Sequence, residues 1–312
     1  HWRCLKPSIS FLIEKMAFRT VYIEKAVRVR LDLNNIVVNF ENENYYINLD
    51  EISTIIFDDP RCNVSLKLLA TLCEEGINVI FNDSSHMPIG SLQTLYDHTR
   101  APKKIKCQIE WDKNTQSYLW TEIVKNKIRN QIFTLKKVNK IEKIALLEQM
   151  IADITFGDLT NKEGIASRVY FKELFGNTFK RFDETIINYA LNYIYQIVRS
   201  KISQEIIACG YIPALGICHK SEFNLYNLAD DFIEVFRPIC DYYVYEILTN
   251  SIDDYLTPII KRDLIDILNY KVKFQNGEYK IHIVIQFYVQ ILFKYLETGD
   301  TSYIHFPKLC NI

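Results

Sequence analysis

The sequence is poor in residues that interrupt regular structure, and it has no excess charge. It contains nine Gly and eight Pro among 312 residues, which argues against a disordered or collagen-like chain. Its 37 basic residues nearly balance its 38 acidic residues, so the chain as a whole creates no field that attracts nucleic acid. Any surface for a polyanion is therefore a local basic patch or is completed by a partner.

Paired cysteines and long apolar runs are missing as well. The eight cysteines stand at positions 4, 62, 73, 107, 209, 218, 240 and 310, without the Cys-x-x-Cys spacing of a zinc ribbon or a redox dithiol. They are typical of the reduced, mostly buried thiols of a cytosolic protein. No run reaches the roughly 20 apolar residues that span a bilayer, so no membrane association is expected. Residues 1–15 carry a short apolar stretch without a cleavage site, and we treat them as an extension outside the fold.

The length and the change of pattern along the chain predict two domains. Over residues 16–97, short segments rich in β-branched and aromatic residues predict strands, and one helical segment ends at Gly76. The predicted strands are "FRTVYIE", "VRVRLDL", "IVVNF", "YYINL", "ISTIIF" and "NVIF". The polar stretch 83–105, which contains Pro and Gly, is predicted to include the boundary.

Residues 98–312 have apolar positions at steps of three and four, which predict helices. One continuous helix is predicted over "DDFIEVFRPICDYYVYEIL", residues 230–248. The exception is "VKFQNGEYKI", where Asn276-Gly277 predicts a β-hairpin. The predicted fold class is α+β, with a small N-terminal β-sheet domain followed by a larger, mainly α-helical catalytic domain.

His219 lies in a loop-like stretch ahead of a periodic run that opens with Asp230, Asp231 and Glu234. Asp231 and Glu234 are three residues apart and share a face if the run is helical. Acidic residues in a first turn also stabilise the helix dipole, and this explains Asp230 and Asp231 equally well. The sharper hypothesis is a metal site whose other ligand lies elsewhere. Cys218, directly before His219, suggests a Cys-His catalytic pair, but the side chains of adjacent residues usually point apart.

Glu163 also has a structural explanation. Thr160-Asn161-Lys162-Glu163 fits the capping box, in which the acidic residue bonds back to the cap residue. However, Gly164 follows, and glycine within a helix costs roughly 1 kcal/mol relative to alanine. Such a glycine often marks close approach of another group to the backbone.

Further polar residues follow Glu163. Arg168 and Tyr170 come shortly after it, and Asn188, Asn192 and Tyr195 recur at helical spacing. Buried Asn side chains need hydrogen-bond partners. An internal polar network therefore explains them as well as a functional site does.

The segments "NKEGIASRVYF", "NYALNYIY" and "GYIPALGICHKSEFNLYNLADDFIEVFRPICD", in this order and spacing, resemble the CRISPR adaptation integrase. This metal-dependent enzyme inserts spacers into CRISPR arrays. The E-G, L-N-Y, G-x-x-H and D-x-x-E-x-F-R-P motifs are each weak alone and specific as a set. The start at Met16, "MAFRTVYIE", resembles the type II branch, and the resemblance covers essentially residues 16–300.

The resemblance implies that Glu163, His219 and Glu234 are the metal ligands and catalytic residues, with Asp231 at an acidic position near the metal. Two carboxylates and an imidazole suit Mg²⁺ or Mn²⁺. The implied partners are double-stranded DNA (spacer precursor and CRISPR repeat), a second copy of the chain, a small adaptation partner protein whose dimer is clamped by two such homodimers, and other type II adaptation proteins. The implied location is the prokaryotic cytoplasm.

Four basic residues are predicted to contact DNA, and two polar residues are predicted near the site. They are Arg168, Lys180, Lys220 and Arg237, and Asn192 and Tyr195. A salt bridge with Glu234 is the alternative for Arg237. The other basic clusters of the helical domain, which include Lys125, Lys127 and Arg129, Lys136 and Lys137, and Lys172 and Arg181, are equally well explained as solvated helix faces.

Two other functions fit the same residues. One is a non-specific metal-dependent DNA nuclease that uses water as the nucleophile. The other is a catalytically silent DNA-binding scaffold, which ranks low because all three implied ligands are present in the sequence.

Overall fold

The structure is a computed structural model of the chain that describes residues 19–25, 27–41, 43–92, 99–249 and 253–310. These residues form two compact units, one that ends at residue 92 and one that begins at residue 99. The strand-rich first unit and the larger helical second unit confirm the predicted fold class. The predicted extension 1–15 and the predicted boundary between residues 97 and 98 lie outside the described residues.

The first unit contains two four-stranded sheets and a helix. Its elements are β1 (Arg19–Ile23), β2 (Arg28–Asp32), β3 (Asn35–Phe40), β4 (Glu43–Asn48), β5 (Ile52–Phe57), β6 (Asn63–Val64), α1 (Leu66–Glu74), β7 (Asn78–Asn82) and β8 (Pro88–Leu92). One sheet has the order β1-β5-β7-β8 and the other β4-β3-β2-β6. Strands β1, β5 and β7 are parallel, and β8 pairs antiparallel with β7. Ile36, Ile52, Ile55, Leu68 and Val79 lie in the core that these elements enclose.

The second unit is mainly helical. Its helices are α2 (Ala101–Ile109), α3 (Lys113–Lys137), α4 (Ile144–Ala152), α5 (Lys162–Phe175), α6 (Ile186–Ala208), α7 (Asn227–Ile233), α8 (Arg237–Thr249), α9 (Pro258–Ile265) and α10 (Ile281–Thr298). Strands β9 (Lys271–Phe274) and β10 (Gly277–Lys280) form a hairpin, which β11 (Lys308–Leu309) extends. Short 3₁₀ helices lie at Leu49–Glu51 in the first unit and at Phe156–Asp158, Asp266–Asn269 and Thr301–Tyr303 in the second.

The predicted hairpin is confirmed, with its turn one residue earlier than the Asn-Gly signal indicates. Gly277 pairs with Phe274, so the two-residue loop is Gln275-Asn276. Gln275 has a φ of 51°, in the region that tight hairpin turns require. The stretch 83–105 is also more regular than its composition predicts, because it contains β8 and the start of α2.

The prediction of one continuous helix over 230–248 is wrong. Helix α7 ends at Ile233 and α8 begins at Arg237. The cause is Pro238, which has no N–H to donate and whose ring clashes with the carbonyl four residues earlier, that of Glu234. The resulting junction, residues 234–236, leaves the Val235 carbonyl available to other partners.

Helix α3 packs against α4, α5 and α8 and also contacts α7. It therefore meets both the start of α5, which carries Glu163, and the junction that carries Glu234. Within the described ranges, no helix has the length and apolar character needed to cross a membrane.

Candidate functional site

Glu163 occupies the second position of α5, and other side chains cap this helix. Asn161 accepts a hydrogen bond from the Gly164 N–H at 3.2 Å. Asp158 accepts from the N–H groups of Lys162 and Glu163 at 2.8 and 3.0 Å. The capping-box explanation of Glu163 is wrong, because the cap residue is Asn161 and Glu163 is therefore the second helical residue, whereas a capping box places the acidic residue third.

Gly164 confirms the expectation of a close approach to the backbone. A Cβ at this position would lie 2.9 Å from Asn161 Oδ1, so a side chain here would press on the cap. The approaching group is thus the helix's own cap residue.

The buried Asp231 carboxylate organises the loop that carries His219. It accepts hydrogen bonds from the N–H groups of Ile217, Cys218 and His219 at 2.7, 3.1 and 3.0 Å, and it pairs with His219 Nδ1 at 2.7 Å. Because α7 begins at Asn227, Asp231 lies beyond the first turn, and its carboxylate serves the loop instead of the helix terminus. With Nδ1 engaged, Nε2 is the ring nitrogen left to act as a ligand.

Gly216 explains why the G-x-x-H motif needs its glycine. A Cβ on Gly216 would overlap the carbonyl oxygen of His219 and lie 2.8 Å from Asp231 Oδ2. The loop closes on itself at this point, so no side chain fits.

Cys218 is unsuited to nucleophilic catalysis. Burial, and then the negative charge of Asp231, raise the pKa of its thiol to about 12, whereas reactive cysteines have a lowered pKa. The Cys-His pair is therefore disfavoured.

Glu163 and Glu234 contact the same cation, the ammonium group of Lys127 in the middle of α3. Lys127 Nζ donates to Glu163 Oε1 and to Glu234 Oε2, and the residue is only 5% exposed. Burial alone would lower the pKa of Lys127, but the charges of Glu163 and Glu234 raise it, so it remains charged. The interpretation of Lys127 as a solvated or DNA-contacting residue is wrong.

Arg237 forms the ion pair that was the alternative to DNA contact. Its Nε donates to Glu234 Oε1 at 2.9 Å, and its guanidinium lies 4.6 Å from the ring centroid of Tyr195. Burial alone would raise the pKa of Glu234, but the charges of Arg237 and Lys127 lower it to about 2. Glu234 is therefore ionised at any ordinary pH.

The asparagines of α6 belong to a polar network in which Asn188 is buried, as the structural explanation predicts, and Asn192 is exposed. Arg181 donates to Asn188 Oδ1 at 3.2 Å and to Asn192 Oδ1 at 2.7 Å. The same guanidinium lies 5.5 Å from the Tyr195 ring, and the Tyr195 hydroxyl donates to Asp241. Tyr195 is thus connected to Glu234 through Arg237.

A buried polar stripe on α3 joins these parts, and the sequence analysis does not identify it. Lys127, Asn130 and Thr134 recur at helical spacing on a single face. Asn130 Nδ2 donates to the Val235 carbonyl at 2.8 Å, and Thr134 Oγ1 donates to the Pro238 carbonyl at 3.0 Å. Polar residues at three- and four-residue steps within an otherwise core-facing helix were the available signal.

His219 stands against the same helix. The ring of Trp120, two turns before Lys127, meets the imidazole edge-on with centroids 5.7 Å apart. A cavity of about 520 Å³ opens beside it and is lined in part by Gln108, Gly216, His219 and Lys220.

The three implied ligands are only partly gathered. Within the described residues, no three His, Cys, Asp or Glu side chains stand close enough to hold a metal ion together. Glu163 and Glu234 do converge, with the Lys127 ammonium between their oxygens. The hydrogen bond to Asp231 raises the pKa of His219, and the imidazole must lose its proton before Nε2 can act as a ligand. Two carboxylates and an imidazole are donors that suit Mg²⁺ or Mn²⁺, and the ammonium of Lys127 stands between the two carboxylates.

Three of the predicted DNA contacts, Arg168, Lys180 and Lys220, are exposed to solvent. Arg168 Nε also donates to the Gly164 carbonyl at 3.3 Å, which places it above the start of α5. Arg237, the fourth, is largely committed to Glu234.

A sequence model of the family described as "CRISPR associated protein Cas1" matches residues 21–254. The chain belongs to the Cas1 family. The predicted family is confirmed, and the type II branch stays a prediction. The chain is 31% identical over 265 residues to a CRISPR-associated endonuclease Cas1 from Neisseria meningitidis serogroup C (strain 8013), which covers 85% of this chain and 87% of that protein.

Solved structures share the fold of this chain at low sequence identity. A casposase bound to integration product superposes with a TM-score of 0.75 at 17% identity, over 91% of this chain and 92% of that chain. A chain of a Cas6-RT-Cas1–Cas2 complex superposes with a TM-score of 0.70 at 18% identity, over 91% of this chain and 35% of that chain.

Proposed function

We propose that this Cas1 family member is a metal-dependent DNA integrase of CRISPR adaptation. It joins the 3′-hydroxyl ends of new spacer DNA to the CRISPR repeat. The observation that carries the proposal is the convergence of Glu163 and Glu234 on one buried cation of α3, the helix against which the anchored imidazole of His219 also stands. The endonuclease name of the Neisseria relative and the integration product bound to the casposase support the same class of chemistry.

Glu163, Glu234 and His219 Nε2 would hold Mg²⁺ or Mn²⁺, which polarises a phosphodiester and lowers the pKa of an attacking hydroxyl. Asp231 fixes the orientation of the imidazole, and the Trp120 ring packs against it nearly perpendicular. These contacts prepare the ligands before substrate arrives, which is how positioning residues contribute to rate.

The reaction itself is an exchange of phosphodiester bonds. The 3′-hydroxyl of the spacer end attacks a phosphorus atom of the repeat, and the bond from that phosphorus to the repeat 3′-oxygen breaks. The hydroxyl proton leaves to solvent, and the departing 3′-oxygen gains one. Because one ester replaces another, neither ATP nor a covalent enzyme intermediate is required.

DNA would approach along exposed basic residues. Lys220 lines the cavity beside His219, and Arg168 and Lys180 are also exposed. Such residues bind phosphates and set the position of the duplex without reading its sequence.

The proposed assembly is a homodimer that works with a small adaptation partner protein. The relative from the Cas6-RT-Cas1–Cas2 complex supports a partner of this kind. A net charge of −1 also favours a DNA surface that is completed by assembly.

The test is a joining assay with a short duplex and repeat DNA, with and without Mg²⁺ or Mn²⁺. We expect joined products only with metal, and their loss in Glu163→Gln. Glu122→Gln is the control, because the half-buried Glu122 pairs with Lys125 and contacts neither Glu163 nor Glu234 in the hydrogen bonds and ion pairs of the described residues. Metal-dependent cleavage without joining would replace the proposal with the nuclease, and binding without either reaction would replace it with the scaffold.

A further inference from the structure

Lys127 is a buried charge, and stability alone does not explain why a charged group stands at this position. Its ammonium contacts Glu163 Oε1 and Glu234 Oε2 deep in the second unit. Buried ion pairs contribute little net stability, because desolvation of the charges offsets their attraction. The same helix already holds the 234–236 junction through Asn130 and Thr134. The ion pair therefore calls for a functional explanation, which we seek in the role of Glu163 and Glu234.

The four groups that pair directly with one another in this cluster balance in charge without a metal ion. Glu163 and Glu234 contribute two negative charges, and Lys127 and Arg237 contribute two positive charges. A divalent cation added to this closed cluster would leave two uncompensated positive charges in a poorly solvated site, which is strongly unfavourable. One of the resident cations must therefore withdraw when the ion enters.

The geometry selects Lys127 as the cation that withdraws. Lys127 contacts one oxygen of each carboxylate and so holds the pair together. Arg237 instead holds the other oxygen of Glu234 and is stacked on Tyr195. A lysine is a point charge on a flexible four-carbon stem, so its ammonium can move away while the helix stays in place.

We propose that Lys127 is an internal counter-ion that holds Glu163 and Glu234 together in the metal-free protein and is displaced by the divalent cation. This inference rests on the proposed function, because it requires a metal ion at these two carboxylates. Its consequence is that Lys127 weakens metal binding while keeping the two ligands from repelling each other.

The experiment measures Mn²⁺ binding to the full chain by the loss of the free-ion EPR signal. The variants are Lys127→Met, which keeps the side-chain length without charge, and the control Lys125→Met. Lys125 lies two residues earlier on α3 and pairs with Glu122 at 2.8 Å. We expect Lys127→Met to bind Mn²⁺ at least about tenfold more tightly, since a competing charge is removed, and Lys125→Met to bind as the wild type does.

The thermal midpoint provides a second readout. Without metal, Lys127→Met should melt below the wild type, because its carboxylates lose their counter-ion. Saturating Mn²⁺ should raise its midpoint more than it raises that of the wild type. Unchanged or weaker Mn²⁺ binding by a folded Lys127→Met would overturn the inference and leave the metal site intact. Absence of Mn²⁺ binding by the wild type would overturn the metal dependence of the proposed function as well.

Amine acetylation of the wild-type protein tests the displacement without any variant. Lys127 should be protected without metal and become several-fold more reactive with Mn²⁺, while Lys125 serves as the internal reference in the same digest. Unchanged labelling of Lys127 at a Mn²⁺ concentration that saturates the protein would overturn the displacement, even if Lys127→Met fails to fold.

Discussion

At the scale of single residues, the position of His219 depends on a carboxylate and on a missing side chain. Asp231 accepts hydrogen bonds from three backbone N–H groups and contacts the imidazole. Gly216 permits the loop to fold over that carboxylate, because any Cβ would overlap the His219 carbonyl. The loop therefore has little freedom to relax.

Gly216→Ala tests this constraint. The new methyl group would push the His219 carbonyl away from Asp231, so we expect a loss of about 1–3 kcal/mol of stability, as for overpacked sites, together with loss of metal-dependent joining. The control is Gly90→Ala in β8, where a Cβ would meet no atom within 4 Å among the described residues. Urea unfolding and the joining assay measure the two effects. A Gly216→Ala protein as stable and active as Gly90→Ala would show that the loop is not closed in this way.

His282 gives the protein an acid-sensitive element away from the site. It is buried in α10, and its Nδ1–H donates to the Leu268 carbonyl at 2.9 Å. Burial lowers the pKa of His282 to about 4, so the folded protein keeps it neutral. The unfolded chain takes up a proton below about pH 6.5. The contribution of neutral His282 to the stability of the folded protein is therefore intact above that pH and is lost as the pH falls toward about 4.

We expect the wild type to lose about 2 kcal/mol more than His282→Asn when the pH falls from 7.5 to 5. Asn keeps a donor near the position of Nδ1 and cannot titrate. Urea unfolding at both pH values measures the difference, and His305→Asn at an exposed histidine serves as the control. If the wild type and His282→Asn lost the same free energy of unfolding between the two pH values, His282 would not set the acid sensitivity.

At the scale of elements, α3 is the helix that assembles the site. Its buried polar stripe reaches α5 through Lys127 and reaches the 234–236 junction through Asn130. Asn130 also donates to the Pro307 carbonyl at 3.0 Å. One side chain thus donates hydrogen bonds to the carbonyls of two different segments.

Asn130→Ala should cost at least about 2 kcal/mol, because a buried carbonyl without a donor costs about 1–3 kcal/mol. Asn126→Ala is the matched control on the same helix. Asn126 Nδ2 donates to the Glu122 carbonyl of α3 itself, so its loss should cost less than about 1 kcal/mol. Denaturant unfolding of both variants measures the difference, and similar losses would contradict the bridging role of Asn130.

The sequence predicts the type of most elements. It does not predict where a helix is interrupted or which side chains form hydrogen bonds and ion pairs between elements. Periodicity predicts α3, α5, α6 and α10 because each buries a face. It misses the junction at 234–236, since apolar spacing continues through Pro238. It also misses Lys127, because a buried cation and a solvated one look alike in a sequence. The motif set predicts Glu163, His219 and Glu234 as ligands, and this stays a prediction; the distances between them depend on tertiary contacts that spacing does not encode.

At the scale of the whole molecule, near-zero net charge requires the basic residues to be segregated if DNA is to bind. Arg168, Lys180 and Lys220 are exposed, and we expect them to lie along the DNA path. Replacing one basic residue that contacts a phosphate by a neutral residue should flatten the slope of log K for DNA binding against log salt concentration by roughly one unit or less. Unchanged affinity and slope in Arg168→Gln combined with Lys180→Gln would contradict this path.

The first unit is expected to supply the homodimer interface. Strand β4 is an edge of its sheet, and Tyr45 and Tyr46 on it are exposed by 50% and 59%. Natural proteins usually cover such edges. Light scattering at micromolar concentration should give twice the 36.8 kDa chain mass, and Tyr45→Lys combined with Tyr46→Lys should shift the mass toward the monomer. The control is Leu66→Lys, an exposed residue of α1. A monomeric wild type would contradict the expectation.

The most direct test of the central claim is anomalous diffraction from crystals of the full chain soaked in Mn²⁺. The account predicts an anomalous peak within coordination distance of Glu163, Glu234 and His219 Nε2, with Asp231 still bonded to Nδ1. A Mn²⁺ ion bound only elsewhere, with the two carboxylates still closed around Lys127, would contradict it.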